Sequence, residues 1–161
     1  MRIGVLADTH DKLDRTREAV QLLLDAGAEA IVHCGDLASP PVVAGCAVRP
    51  FWFALGNHDA DAVPALERAA ADAGAVCLGW GGVVELGGRR VGVTHGHLTA
   101  DVRRVLADRP DYLLCGHSHL AGERAVGGVR RINPGALHRA AEYTVAVLDT
   151  ATGDVRWVRV G

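Results

Sequence analysis

The sequence contains no apolar run approaching the roughly 20 residues of a membrane span, no CxxC pair, no HExxH, and a single lysine, Lys12. Without the apolar run, no membrane helix is expected. The formal net charge of -2 lacks the basic field that non-specific binding to nucleic acid or an anionic membrane would need. The four cysteines, Cys34, Cys46, Cys77 and Cys115, have neither finger-like nor redox spacing. They are read as buried free thiols in a reducing compartment. The dominance of arginine over lysine, beside abundant Ala, Gly and Val, reads as a codon-composition bias and carries no function. The opening MRIGVLADTH begins directly as a strand, so no targeting leader is expected and the location is expected to be cytoplasmic. No linker, repeat or low-complexity tract divides the chain. One domain over residues 1–161 is therefore expected.

What is present suffices for a packed core. Hydrophobic residues make up 49% of the chain and charged residues 22%, ordinary values for a globular fold of this size. RIGVLA (2–7), AIVHC (30–34) and FWFAL (51–55) read as strands. Between and after them, 14–29, 40–48 and 63–74 read as helices, the first with Asp14 as its cap and a stop near Gly27, the last with a glycine stop. This alternation predicts helices packed on a largely parallel sheet. The pattern then changes. Residues 81–96 read as a hairpin about Gly87–Gly88, 101–109 as a helix stopped by Pro110, and 111–116 as a strand. Residues 122–135 form a second hairpin about Gly127–Gly128, and 143–160 a final one. The second half is thus expected to be sheet-rich and mostly antiparallel, giving an α/β domain with two sheets.

Chemistry gathers where strands end. The successive strand ends carry Asp8-Thr9-His10, Gly35-Asp36, Gly56-Asn57-His58-Asp59, His95-Gly96-His97 and Gly116-His117-Ser118-His119. In α/β folds the carboxyl ends of strands are where ligand sites collect, and the adjacent glycines permit tight turns. Taken singly, each residue has an ordinary explanation as a helix cap, a turn residue or a surface histidine. Five strand ends of this kind in one small domain do not. The pair His117 and His119 adds to the case. On extended chain, residues two apart point to the same side, so the two rings would converge.

The donors available are carboxylate and amide oxygens and imidazole nitrogens, without sulfur, a set suited to Mn, Fe, Zn, Ni or Co. Seven such groups are too many for one tetrahedral zinc. They suit two ions roughly 3.5–4 Å apart sharing a carboxylate.

In this order the five blocks resemble the calcineurin-like metallophosphoesterases. Together with the size of the chain, Ile132-Asn133-Pro134-Gly135 looks like the small prokaryotic phosphodiesterase subgroup within them. The resemblance covers nearly the whole chain and implies a two-sheet α-β-β-α sandwich. It implies that Asp8, His10 and His119 hold one metal, that Asn57, His95 and His117 hold a second, and that Asp36 bridges them. The two divalent ions would be Mn, with Fe, Ni, Zn and Co as alternatives. His58 is implied as the general acid, outside the metal ligands. The implied reaction is hydrolysis of a small-molecule or nucleotide phosphate ester by in-line attack of a hydroxide bridging the two ions.

Further residues are placed around this set. Asp59 is a candidate to orient His58 or to cap the turn, and His97 a candidate for the pocket wall. Arg139, which with His138 follows the Asn-Pro-Gly turn, is a candidate phosphate contact. His33, inside an apolar strand, is expected to be a hydrogen-bonded core residue, and Ser118 to point away from the site. Leu-Ala-Ser after Asp36 departs from the Asp-Arg-Gly of the serine/threonine phosphatases, and the extra domains of Mre11-type nucleases are not expected, so protein-phosphatase and repair-nuclease activities are not expected either. Few arginines lie beside the motifs, which favours diesters over monoesters. Two other functions remain open. One is a phosphomonoesterase acting on a small phosphorylated metabolite. The other is a protein-binding scaffold like the retromer subunit Vps29, which resembles this chain in size but has a degraded ligand set.

Overall fold

The computed structural model describes residues 1–161. Two sheets face each other. The first is six-stranded in the order β11-β10-β1-β2-β3-β4 and the second five-stranded in the order β5-β6-β7-β9-β8. The strands of the first sheet are β1 (Arg2–Leu6), β2 (Ala30–His33), β3 (Phe51–Phe53), β4 (Val76–Cys77), β10 (Thr144–Asp149) and β11 (Val155–Arg159). Those of the second are β5 (Gly81–Leu86), β6 (Arg89–Thr94), β7 (Tyr112–Leu114), β8 (Gly122–Val126) and β9 (Val129–Asn133). Helices α1 (Leu13–Asp25), α2 (Pro40–Cys46) and α3 (Val63–Ala73) follow the first three strands, and α4 (Thr99–Ala107) follows β6. None is long and apolar enough to cross a membrane.

The layering follows from alternation along the strands. In β1, Ile3 and Val5 face the core between the sheets, where they meet Val91, Val93, Leu114 and Ile132. Leu6 faces the other way, into a core shared with Ala19, Val20 and Leu23 of α1. Gly4 lies on that helical side too, where a Cβ would press on Leu23 at 3.0 Å. Complete burial of one such leucine is worth roughly 2 kcal/mol. On the far face of the second sheet, Val105 of α4 packs on Leu113 and Cys115. The result is the expected α-β-β-α sandwich.

Four details differ from the expectation. Asp14 is not the cap of α1. The helix begins one residue earlier, and Asp14 sits in its first turn, where a carboxylate suits the helix dipole and accepts from Arg17 Nη1 at 2.9 Å. The two-residue strand β4 is too short to show a period. The second half of the chain is mostly antiparallel as expected, but β7 pairs in parallel with both β6 and β9. The final hairpin returns to the first sheet, with β10 antiparallel to β1. Of the four cysteines expected to be buried, Cys34, Cys46 and Cys115 are, whereas Cys77 is only half-buried; all four are free thiols.

Candidate metal centre

The carboxyl ends of β1, β2, β3, β6 and β7 open onto one edge of the sandwich, and backbone hydrogen bonds lace their loops together. Asp8 N–H donates to Gly35 O at 3.0 Å, His10 N–H to Asp36 O at 3.0 Å, and Gly116 N–H to His95 O at 3.1 Å. The carboxylates join the same lacing. Asp8 Oδ2 accepts from His117 N–H at 3.1 Å, and Asp36 Oδ1 from His58 N–H at 2.9 Å.

The backbone at these residues is unusual. Asp8, His10, Asp36, His117 and His119 all have positive φ, between 43° and 69°. Non-glycine residues rarely adopt this region, and each costs on the order of 1–3 kcal/mol. This corrects the geometry expected for the histidine pair. β7 ends at Leu114, so His117 and His119 do not share a side of extended chain. Left-handed turns aim each ring separately. Glycine gives the room required at two other points. A Cβ on Gly56 would collide with Asp36 Oδ1, and one on Gly35 would lie 2.7 Å from His95 Nδ1.

The donor atoms face one another. His95 Nδ1 donates to Cys34 O at 2.8 Å, and His119 Nδ1 donates to Arg139 O at 3.1 Å. Each neutral ring is thereby fixed with its proton on Nδ1 and its lone pair on Nε2. His95 Nε2 lies 3.3 Å from Asp36 Oδ2 and 3.9 Å from Asp8 Oδ1. His119 Nε2 lies 3.2 Å from Asp8 Oδ1, and His10 Nε2 lies 3.3 Å from Asp36 Oδ2. Asp8 Oδ1 and His95 Nε2 are buried without a hydrogen-bond partner. Lone pairs thus confront lone pairs in a buried place, which is unfavourable without a cation among them.

The electrostatics carry the same imprint. Burial raises the Asp8 pKa above the ordinary carboxylate value, an effect that His95 and His119 only partly oppose. Asp36 is buried as well, which raises it, yet the neighbouring His10 and His95 rings outweigh that and hold it well below the usual range. Burial pushes His95 down, but Asp36 and then Asp8 raise it above the ordinary imidazole value. Burial, reinforced by His95, lowers both His97 and His117.

Three overlapping groups of donors lie within 4.8 Å of one another: Asp8, His10 and His119; His10, Asp36 and His58; and Asp8, Asp36 and His95. The structure therefore collects Asp8, His10, Asp36, His95 and His119 tightly, with His58 at the edge of the set beside His10 and Asp36. His117 stands beside them, its ring 5.0 Å from that of His95. Asn57 and His58 line the same cleft, of about 320 Å³, with His10, Asp36, His117 and His119. His58 is exposed, with its ring 4.8 Å from that of His10. His97 lies near His95 and His117, tilted against both rings, at 5.4 and 6.1 Å between ring centres, and its buried Nδ1 has no partner. This oxygen and nitrogen set fits borderline divalent ions.

Asp59 does not reach His58. It is buried and accepts three backbone N–H groups: Asp36 and Gly56 on Oδ2, both at 2.8 Å, and Ala38 on Oδ1 at 2.7 Å. Ser118 is exposed as expected, but its hydroxyl has a partner, accepting from Asn133 Nδ2 at 2.9 Å. Arg139 lines the cleft, and so does His138, whose ring is 4.8 Å from that of His10. Sequence reasoning left His138 without a role; its place next to Arg139, after the Asn-Pro-Gly turn, was the available signal. Trp80, packed 6.0 Å from His97, carried no signal at all. The count of few arginines beside the motifs holds only along the chain. In space, Arg131 of β9 reaches the His95-Gly96-His97 loop, with Nη2 3.1 Å from the position of a Cβ on Gly96.

Residues 1–153 match the calcineurin-like phosphoesterase superfamily domain. The chain belongs to that family. It is 27% identical over 166 residues to the phosphodiesterase MJ0936 of Methanocaldococcus jannaschii, with 97% of both chains covered. The structure of an archaeal phosphodiesterase superposes with a TM-score of 0.85 at 26% identity, over 99% of both chains. These likenesses place the chain in the small prokaryotic subgroup of the family. A substituted form of Vps29 from Entamoeba histolytica superposes with a TM-score of 0.64 at 18% identity, over 99% of this chain and 98% of that one, which shows a shared fold alone.

Proposed function

We propose that the protein is a metal-dependent phosphodiesterase working through two divalent ions. The observation that carries this reading is the confrontation of the buried Asp8 Oδ1, Asp36 Oδ2 and His95 Nε2, joined by the half-buried His119 Nε2, at 3.2–3.9 Å. Asp8, His10 and His119 would hold one ion, and Asn57, His95 and His117 the other, with Asp36 between them. Mn is the expected ion, with Fe, Ni, Zn and Co as alternatives that these oxygen and nitrogen donors also accept. Bound there, the ions would lower the pKa of an attacking water and neutralise phosphate charge, supporting in-line displacement.

The chain's own groups supply the rest. The Nδ1 hydrogen bonds of His95 and His119 hold their rings in one tautomer and one orientation. His58 stands exposed at the cleft, free to protonate the leaving oxygen. Arg139, at the same cleft, can meet a non-bridging phosphate oxygen.

A phosphomonoesterase is the second reading. Arg139 and Arg131 favour it, since a monoester brings an extra charge. The deciding experiment strips the protein of metal, titrates Mn²⁺ calorimetrically, and compares turnover of bis(p-nitrophenyl) phosphate with that of p-nitrophenyl phosphate. Two ions per chain and metal-dependent diester turnover, lost in Asp36→Asn and reduced in His58→Ala, are expected. Faster turnover of the monoester would establish the second reading. Two bound ions with neither compound turned over would set aside this substrate class and return attention to a Vps29-like scaffold.

A further inference from the structure

Strands β8 and β9 set two arginines directly opposite each other, Arg124 and Arg131 being register partners. Residues opposite one another share a face of the sheet, and like charges so placed repel. No carboxylate relieves them, because neither arginine has an acidic group within ion-pair distance. The one acid of the hairpin, Glu123, is already held by Arg130, at 2.7 Å through Nε and 2.5 Å through Nη2. The hairpin thus keeps two cations face to face without a carboxylate between them, a repulsive arrangement.

Both arginines line a groove of about 250 Å³ together with Ser118, Asn133 and Glu123, the carboxylate of Glu123 being engaged by Arg130. Asn133 Nδ2 donates to Ser118 Oγ at 2.9 Å and to Gly116 O at 3.0 Å, which pins the 117–119 loop. His117 and His119, on either side of Ser118, line the candidate metal cleft. That loop is therefore a wall common to cleft and groove. Gly96 admits the Arg131 guanidinium against the loop of His95, so one of the two cations is anchored close to the site.

We propose that this groove is a second anion subsite, holding a further phosphate of a substrate whose scissile ester lies in the cleft. The proposal rests on the phosphoesterase reading and narrows it to small nucleotide-like diesters carrying a second phosphate. Guanidinium forks match phosphate oxygens bidentately, and a dianion between the two arginines turns their repulsion into attraction. Two arginines on a chain of net charge -2 fit one added phosphate and not a long nucleic acid, which needs an extended basic track.

The test uses two esters that differ in one group: thymidine 5′-(p-nitrophenyl phosphate) and the same compound bearing a 3′-phosphate. With the Mn²⁺-loaded protein, KM is expected to be about tenfold lower for the 3′-phosphorylated ester, the size of a charge-assisted contact. In Arg124→Gln/Arg131→Gln the ratio of the two KM values is expected to fall to near one. Because each protein is compared with itself, a general loss of activity does not mimic this result. Arg124→Gln alone, on the exposed edge strand, gives the same reading if the double variant is poorly folded. A ratio near one in the unaltered protein, or one that survives the substitutions, overturns the proposal. If neither ester is turned over, the phosphoesterase reading fails on its own. Equilibrium binding of thymidine 3′,5′-bisphosphate against thymidine 5′-monophosphate then decides the groove. A preference lost in the variants supports the subsite, and equal binding removes it.

Discussion

The Asp59 carboxylate accepts the backbone N–H of Asp36 at 2.8 Å, while Asp36 Oδ1 accepts the N–H of His58 at 2.9 Å. The two acids clasp each other's loops, and the clasp fixes where the Asp36 carboxylate stands. Asp59→Ala would leave three N–H groups without their acceptor. A loss of about 2–4 kcal/mol in stability is expected, from lost hydrogen bonds to a charged acceptor, together with weaker Mn²⁺ binding although no donor atom is removed. Asp59→Asn keeps one acceptor oxygen and should lose less of both. Urea unfolding and calorimetric metal titration of the two variants check this, and unchanged metal affinity in Asp59→Ala would show that the clasp does not position Asp36.

Gly56 has an ordinary negative φ of -108°, so its role is spatial. A side chain there would run into Asp36 Oδ1 and lie 2.5 Å from the Asp36 backbone nitrogen. Gly56→Ala is expected to cost about 1–3 kcal/mol, as overpacking does, and to displace Asp36 enough to lower Mn²⁺ affinity. Gly45, whose Cβ would meet nothing within 4 Å, gives the contrasting substitution: Gly45→Ala within α2 should be neutral or slightly stabilising. Paired unfolding curves separate the two.

His33 is wholly buried, and its tautomer is set. Nδ1 accepts from Gly35 N–H at 3.1 Å, which leaves Nε2 to donate to Thr9 Oγ1 at 3.1 Å. Burial pushes its pKa down to about 3 from an ordinary 6.5. The unfolded chain therefore binds a proton that the folded chain refuses. The His33 contribution to stability is complete above pH 6.5 and is lost progressively as pH falls toward 3. His97 and His117, also lowered, add to this slope, and the raised His95 opposes it. His33 alone should cost about 2 kcal/mol between pH 6.5 and pH 5. Urea midpoints of the metal-free protein over that range measure it, and His33→Gln should flatten the slope.

Metal removal should register as a loss of stability. A ligand at a hundred times its Kd stabilises the folded state by about 2.7 kcal/mol per site. Melting with Mn²⁺ and then with excess EDTA should show that difference, and Asp36→Asn, which removes the carboxylate that His10 and His95 face, should abolish most of it. An identical Tm with and without Mn²⁺ in the unaltered protein would argue against resident ions.

Much of the fold is legible along the chain because its signals are local. The alternation of Ile3 and Val5 with Gly4 and Leu6, the glycine turns at Gly87 and Gly127, and the spacing of Ala19, Val20 and Leu23 each lie within a few residues. Strand pairing across the sequence is different. β7 lies parallel between β6 and β9, and β10 returns to β1, because these contacts depend on how faces bury and not on any short pattern.

The candidate site divides in the same way. The sequence by itself determined which donors follow which strands: Asp8, His10, Asp36, Asn57, His95, His117 and His119, each close to a strand end and several beside a glycine. Only the tertiary structure decided how their atoms meet. His117 and His119 converge through left-handed backbone and not through extended chain. Asp59 serves the loops and not His58, and Arg131 arrives from 35 residues beyond Gly96 through sheet pairing. The physical reason is range. Propensity and periodicity act over one turn of helix or a few residues of strand. Directing a lone pair, or bringing a cation to a loop, is settled by loops that hydrogen-bond to one another only when both sheets are in place.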